Sequence, residues 1–80
     1  MEVTIYGTTS CVFCKVEKEW LDNKSVNYSY VNIDEDAKGK EFLDSINERR
    51  VPVTIINDGD FTTIVKGFDR VKLSEALNGY

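Results

Sequence analysis

The sequence predicts a single α/β domain over residues 1–80, a four-stranded mixed sheet flanked by three helices in the order β-α-β-α-β-β-α. Short runs of β-branched and aromatic residues alternate with longer stretches whose apolar residues recur every three or four positions. Two of those runs, either side of Asn57-Asp58-Gly59-Asp60, are separated only by turn formers, so a hairpin interrupts the alternation. Eighty residues, 41% of them hydrophobic, suffice for one core and no second.

Val3-Thr4-Ile5-Tyr6 alternates apolar and polar strand formers and reads as the first strand, ending at Gly7. Thr8-Thr9-Ser10 is a polar turn, with Ser10 as the expected helix N-cap. From there to about Lys24, Phe13, Val16, Trp20 and Leu21 recur at helical spacing as one buried stripe, leaving Glu17, Lys18, Glu19 and Asp22 to face water. Tyr28 to Ile33 is the second strand. Asp34-Glu35-Asp36 places acid at the start of a second helix, where the helix dipole favours it. Phe42, Leu43 and Ile46 mark that helix's inner face, and Arg49-Arg50 lie near its end. Val53 to Ile56 and Phe61 to Val65 are the hairpin strands. After Gly67 a short last helix turns Leu73, Ala76 and Leu77 inward. The βαβ start implies a right-handed parallel crossover, and the small architecture that fits the whole order is the thioredoxin-like fold.

Composition narrows the function. Ten basic against fourteen acidic residues give a net charge of −4, which argues against nucleic acid as the main partner because phosphate binding needs a basic footprint. No stretch approaches the roughly 18–20 apolar residues of a membrane span. The N-terminus runs directly into a strand-like stretch without a basic region and apolar run, so the expected location is the cytoplasm. There thiols are kept reduced, and disulfides are mostly transient and catalytic.

Two cysteines, Cys11 and Cys14, sit where the first strand and its loop give way to the first helix. A C-x-x-C can be half of a zinc site, but structural zinc takes four ligands, and this chain has two cysteines and no histidine. A site shared between two copies, or an inert structural pair, are the alternatives. A C-x-x-C beside a βαβ pattern reads as a redox motif. At the first turn of a helix the backbone N–H groups lack partners and the dipole leaves partial positive charge. A Cys11 thiolate gains from both, so its pKa is expected below the free value of about 8.5. Cys11 is thus the expected nucleophile, and Cys14, one turn further in, the resolving thiol. Lys15 adds positive charge nearby or is simply solvated.

With these residues in place, the chain resembles the glutaredoxins along essentially its whole length. Three segments carry the likeness. Tyr6-Gly7-Thr8-Thr9-Ser10-Cys11-Val12-Phe13-Cys14 is similar to the family's strand, loop and Cys-Pro-Tyr-Cys site; Val51-Pro52 precedes the third strand; Gly67-Phe68-Asp69 is similar to the family's Gly-Gly-x-Asp turn. The resemblance implies dithiol reduction of protein disulfides or glutathione mixed disulfides, glutathione as co-substrate, no permanently bound cofactor or metal, and a monomer. It implies a cis Val51-Pro52 bond that brings the Val51 backbone alongside the cysteines; the plain alternative is a strand-start proline. It also implies a glutathione groove of Phe13, Arg50, Val51, Pro52, Gly67, Phe68 and Asp69. Within it Asp69 lies near the γ-glutamyl ammonium at a helix N-terminus suited to carboxylate. A capping role for Asp69, and a core position for Phe13, are the competing readings.

The chain departs from that pattern in five places. Thr8 stands about where many of these proteins have a lysine that pairs with a glutathione carboxylate. Arg50 replaces a threonine, Lys66 the first of two glycines, Arg70 a second aspartate and Val12 a proline. Val12 together with Gly67-Phe68 resembles the glutaredoxin-like hydrogen donors of ribonucleotide reductase, which thioredoxin reductase recharges. The same site and turn also resemble glutaredoxins of some bacteriophages. Arg49, Arg50, Lys66, Arg70 and Lys72 either ring the groove in place of the missing lysine, since arginine forks suit carboxylates, or are separate solvated side chains. From a different class, an iron–sulfur or metal-binding dimer through Cys11 ranks last, because cluster-holding relatives usually show a different active site.

Overall fold

A computed structural model describes residues 1–77. It has seven elements in the expected order: β1 (Glu2–Gly7), α1 (Val12–Asn23), β2 (Ser29–Asn32), α2 (Ala37–Ser45), β3 (Val53–Asp58), β4 (Phe61–Lys66) and α3 (Arg70–Ala76). The sheet order is β2-β1-β3-β4. β1 pairs parallel with β2 and antiparallel with β3, and β3 pairs antiparallel with β4. Asp58 faces Phe61 in the hairpin register, so Gly59-Asp60 is a two-residue loop of the kind turn-forming residues favour.

The alternation of a pleated strand sorts the side chains into two layers. In register, Ile5 lies opposite Tyr30 and Thr54, and Thr54 opposite Val65, so these four form one row across the sheet. On that face Val3, Ile5, Ile56 and Val65 make a core with Leu21 of α1, Val26, Leu73 of α3 and Leu77, the residue that caps α3, edged by Trp20, Tyr28, Tyr30 and Phe68. The other face receives α2. Tyr6 stacks on Phe42 at 5.1 Å, and Leu43 is buried. A Cβ on Gly39 would lie 2.6 Å from Val31, so α2 rides close to the sheet there. Helices therefore cover both faces, as the fold class requires. None of the helices among the described residues is long and apolar enough to cross a membrane.

The inward face of α1 differs from the expected one. Val12, Phe13 and Val16 are 71%, 63% and 39% exposed, whereas Cys14, Glu17 and Leu21 are fully buried. Cys14, Glu17 and Leu21 follow i, i+3, i+7 spacing, which places them on one side of the helix. Glu17 thus lies in the core and not in water, and three apolar residues lie outside it. The N-cap is Cys11, not Ser10. α2 begins after Asp36, whose carboxylate accepts from the Gly39 N–H at 3.0 Å. It ends at Ser45, with Asn47 at φ 59°, so Arg49 and Arg50 follow the helix as loop residues. β2 is shorter than expected, with Tyr28 and Ile33 just outside it.

Candidate active site

β1 delivers the chain to Gly7 in the interior of the sheet, and the next four residues carry it to the start of α1. This loop is tied to β2. Tyr30 Oη donates to the Thr8 carbonyl at 2.7 Å, Asn32 Nδ2 to Thr9 Oγ1 at 2.7 Å, and the Ile33 N–H to the Gly7 carbonyl at 2.9 Å. At its end Cys11 takes extended φ/ψ of −81° and 113°, and its Sγ accepts from the Cys14 N–H at 3.1 Å. A sulfur therefore occupies the place of the usual capping oxygen. The Lys15 N–H bonds the Cys11 carbonyl at 3.2 Å and starts the helix.

Cys11 and Cys14 are joined as a disulfide, with their Cα atoms 5.2 Å apart. The two sulfurs differ in setting. Cys11 is partly exposed; Cys14 has no exposure at all. The first turn of α1 holds no acidic side chain, so the dipole's positive end at Cys11 is not offset there. A Cβ on Gly7 would sit 2.6 Å from Cys14 Sγ and would also collide with the Tyr30 hydroxyl. Glycine is required for this close approach, which makes Cys14 Sγ and the Tyr30 hydroxyl neighbours across the end of β1.

The proline segment lies at the same end of the sheet. Tyr6 pairs with Val53, which puts Pro52 level with Gly7. The Val51-Pro52 bond is cis, as the resemblance implies; Pro52 is buried and Val51 half-buried. The Pro52 carbonyl accepts from the Gly67 N–H at 2.8 Å. Gly67, at φ 77°, takes a left-handed turn that a side chain would disfavour. Phe68 packs edge-on against Trp20 at 6.0 Å. Asp69 caps α3, its carboxylate accepting from the Lys72 N–H at 3.1 Å. Val51, Pro52, Gly67, Phe68 and Asp69 thus form one connected segment. Phe13 stays outside the core, on the exposed side of α1. Arg50 is exposed, and its N–H and that of Arg49 donate to Glu48 Oε1 at 3.0 and 3.1 Å. Lys66 lies 3.5 Å from the other Glu48 oxygen. The Arg50 N–H, then Lys66 and the Arg49 N–H, hold the Glu48 carboxyl below the usual carboxylate range.

Sequence reasoning missed Glu17, Thr54 and Tyr30. Glu17 is fully buried. The Thr54 hydroxyl donates to its Oε2, while Oε1 has no hydrogen-bond partner among the described residues. Burial pushes the Glu17 carboxyl up to about 7, against a smaller opposing effect of the Thr54 bond. Burial, then the charges of Asp34 and Glu17, raise the Tyr30 hydroxyl, and Lys18 Nζ lies 4.1 Å over its ring. The available signal was positional: once Cys14 faces inward, the residue three further along α1 faces inward too. Among the described residues no group of three or more His, Cys, Asp or Glu could hold a metal ion.

A half-exposed sulfur at a helix N-terminus, disulfide-bonded to a buried one, is an arrangement for exchanging disulfides. Comparison with known proteins agrees. The family model described as Glutaredoxin matches residues 3–61. The chain is 33% identical over 76 residues to an uncharacterised glutaredoxin-like 8.6 kDa protein in the rubredoxin operon of Clostridium pasteurianum, covering 94% of this chain and 96% of that one. Among solved structures it is similar to a glutaredoxin from Archaeoglobus fulgidus, with TM-score 0.74 and 30% identity over 98% of this chain and 87% of that one. It is also similar to the glutaredoxin-like protein NrdH-redoxin from Escherichia coli, a protein with a thioredoxin-like activity profile. That match has TM-score 0.75 and 27% identity, covering 91% of this chain and 92% of that one.

Proposed function

The chain belongs to the glutaredoxin family of thiol–disulfide oxidoreductases, and on that premise we propose that Cys11 attacks substrate disulfides, Cys14 resolves them, and glutathione restores the dithiol. The asymmetry of the pair carries this reading: Cys11 caps α1 and reaches solvent, while Cys14 is wholly enclosed. The Cys11 thiolate attacks one sulfur of a substrate disulfide, forming a mixed disulfide and expelling a substrate thiolate, which takes a proton from water. Cys14 then attacks Cys11 Sγ, closing the internal disulfide and releasing the second substrate thiol. Two glutathione molecules reverse the sequence and leave as their disulfide.

The groove proposed for glutathione runs from Phe13 past Arg50, Val51 and Pro52 to Gly67, Phe68 and Asp69. The link from the Gly67 N–H to the Pro52 carbonyl supports it by joining its two halves. A second reading keeps the chemistry but draws electrons from thioredoxin reductase, with ribonucleotide reductase as client. It is supported by the likeness to NrdH-redoxin and by Thr8, Val12 and Lys66, where the glutaredoxin pattern has other residues. We place the protein in the cytoplasm as a monomer under either reading.

The test is reduction of a small disulfide, run in parallel with glutathione plus its reductase and with thioredoxin reductase. Turnover in the first system supports glutathione, turnover in the second alone supports the other reading, and turnover in neither refutes the catalytic assignment. Cys14→Ser should hold glutathione on Cys11, seen by mass spectrometry, and lose dithiol turnover.

A further inference from the structure

Glu17 is the only fully buried charged side chain among the described residues, and nothing in the exchange above uses it. It lies one helical turn beyond Cys14, on the same enclosed face of α1. Side chains so spaced have Cβ atoms about 5–6 Å apart, a gap that a direct approach or one bridging water closes. One carboxyl oxygen is held by the Thr54 hydroxyl, two residues after Pro52. The other is buried without a partner. Leaving such an atom unsatisfied costs about 1–3 kcal/mol, which an apolar residue at this position would avoid.

Cys14 needs what such a group can supply. Cys11 Sγ sits at the helix N-terminus; Cys14 Sγ is enclosed, and a thiol in apolar surroundings resists losing its proton. We propose that Glu17 is the proton acceptor and donor for Cys14. The inference rests on the dithiol reading above. In the resolving step the Cys14 Sγ–H proton passes to the Glu17 carboxylate as the new Cys14–Cys11 bond forms and the Cys11–substrate bond breaks. In the reducing step an external thiolate attacks Cys11, Cys14 leaves as thiolate, and the Glu17 carboxylic acid returns the proton. The carboxyl thus gains a proton as the internal disulfide closes and gives it back as the dithiol re-forms, and no other reactant is needed.

The neighbours leave this role to Glu17. The sheet row beneath it holds Ile5, Thr54 and Val65, none of which titrates, and the Tyr30 hydroxyl is engaged with the Thr8 carbonyl. Lys18 on the same helix lies over the Tyr30 ring, and among the described residues α3 and its cap bring only Leu73, Ala76 and Leu77 to the shared core. A carboxyl titrating at about 7 is matched to a working pH near neutrality.

The reduced protein is mixed with a symmetric aryl disulfide that liberates a coloured thiolate twice, once when Cys11 attacks and once when Cys14 resolves. In the wild-type chain the second release should quicken through pH 7 to a plateau. In Glu17→Gln, which keeps the shape and the Thr54 bond, the first release should stay within about twofold. The second should slow at least about tenfold near pH 7.5, the low side of general-base effects of ~10²–10⁴. Its rate should rise steadily to high pH with no plateau. An unaltered second release overturns the inference alone. A missing first release in the wild type overturns the dithiol reading on which it rests. Should Glu17→Gln not fold, carboxyl ¹³C titration of the wild-type chain decides: the Glu17 midpoint should differ between disulfide and dithiol forms, and identical midpoints overturn the proposal.

Discussion

Replacing Glu17 by glutamine should change how stability depends on pH, and the size of the change can be worked from its burial. The carboxyl has a folded-state value of about 7 against an ordinary 4.5. Because the folded value is the higher, folding favours the protonated form. Its contribution is fully present below pH 4.5 and is lost as pH rises through 7. Integrating over that window, the wild-type chain loses about 2–3 kcal/mol between pH 5 and pH 8 from this group alone. Glutamine does not titrate, so the variant lacks this loss, and the remaining carboxylates cancel in the comparison. Urea unfolding of the disulfide form can be followed by fluorescence of Trp20, half-buried at the core edge. With a slope of about 1 kcal/mol per molar urea for so small a domain, the midpoint difference between the two proteins should shift by about 2–3 M across this range. Parallel midpoints from pH 5 to pH 8 would show that Glu17 is ionised in the folded state, and the reasoning from its burial would be wrong.

Other perturbations follow from the same geometry. Gly7→Ala should destabilise by about 1–3 kcal/mol in denaturant titrations, as overpacking does, because its methyl would meet Cys14 Sγ at 2.6 Å; a change below about 0.5 kcal/mol would contradict the close approach. Asp69→Ala removes the α3 cap and should cost about 1 kcal/mol of stability, with Asp69→Asn recovering most of it. Phe13→Ser should leave stability within about 0.5 kcal/mol, because the ring is 63% exposed, and a loss of several kcal/mol would return Phe13 to the core.

The sheet was legible because its signals are local. Val, Ile and Tyr alternate in β1, β3 begins after the chain's one proline, and Gly59-Asp60 closes a hairpin between two β-branched runs. The disulfide pair and the proline segment were legible for the same reason. The inner face of α1 was not, since helical periodicity counts apolar residues as inward and charged ones as outward. Here Val12, Phe13 and Val16 sit outside, while Glu17 goes in because Thr54, 37 residues later in the chain, brings a hydroxyl to meet it. No window of neighbouring residues contains that pairing. The cap moved from Ser10 to Cys11 because a sulfur took a place usually given to oxygen. Arg49 and Arg50, expected near the end of α2, follow it as loop residues because the chain leaves the helix after Ser45 and Asn47 takes a left-handed φ.

The sulfur that caps α1 has one more consequence. An ordinary capping oxygen keeps the same covalent partners for the life of a protein, but Cys11 Sγ changes its own at each turnover, and the acceptor offered to the Cys14 N–H changes with it. Charged acceptors form hydrogen bonds roughly twice as strong as neutral ones. Under the proposed mechanism the first turn of α1 is therefore clamped hardest while the Cys11 thiolate waits for substrate, and eases once the sulfur is bonded. Exchange of the single Cys14 amide hydrogen with solvent becomes a gauge of the redox state, slowest in the dithiol protein, read from the backbone without touching either sulfur.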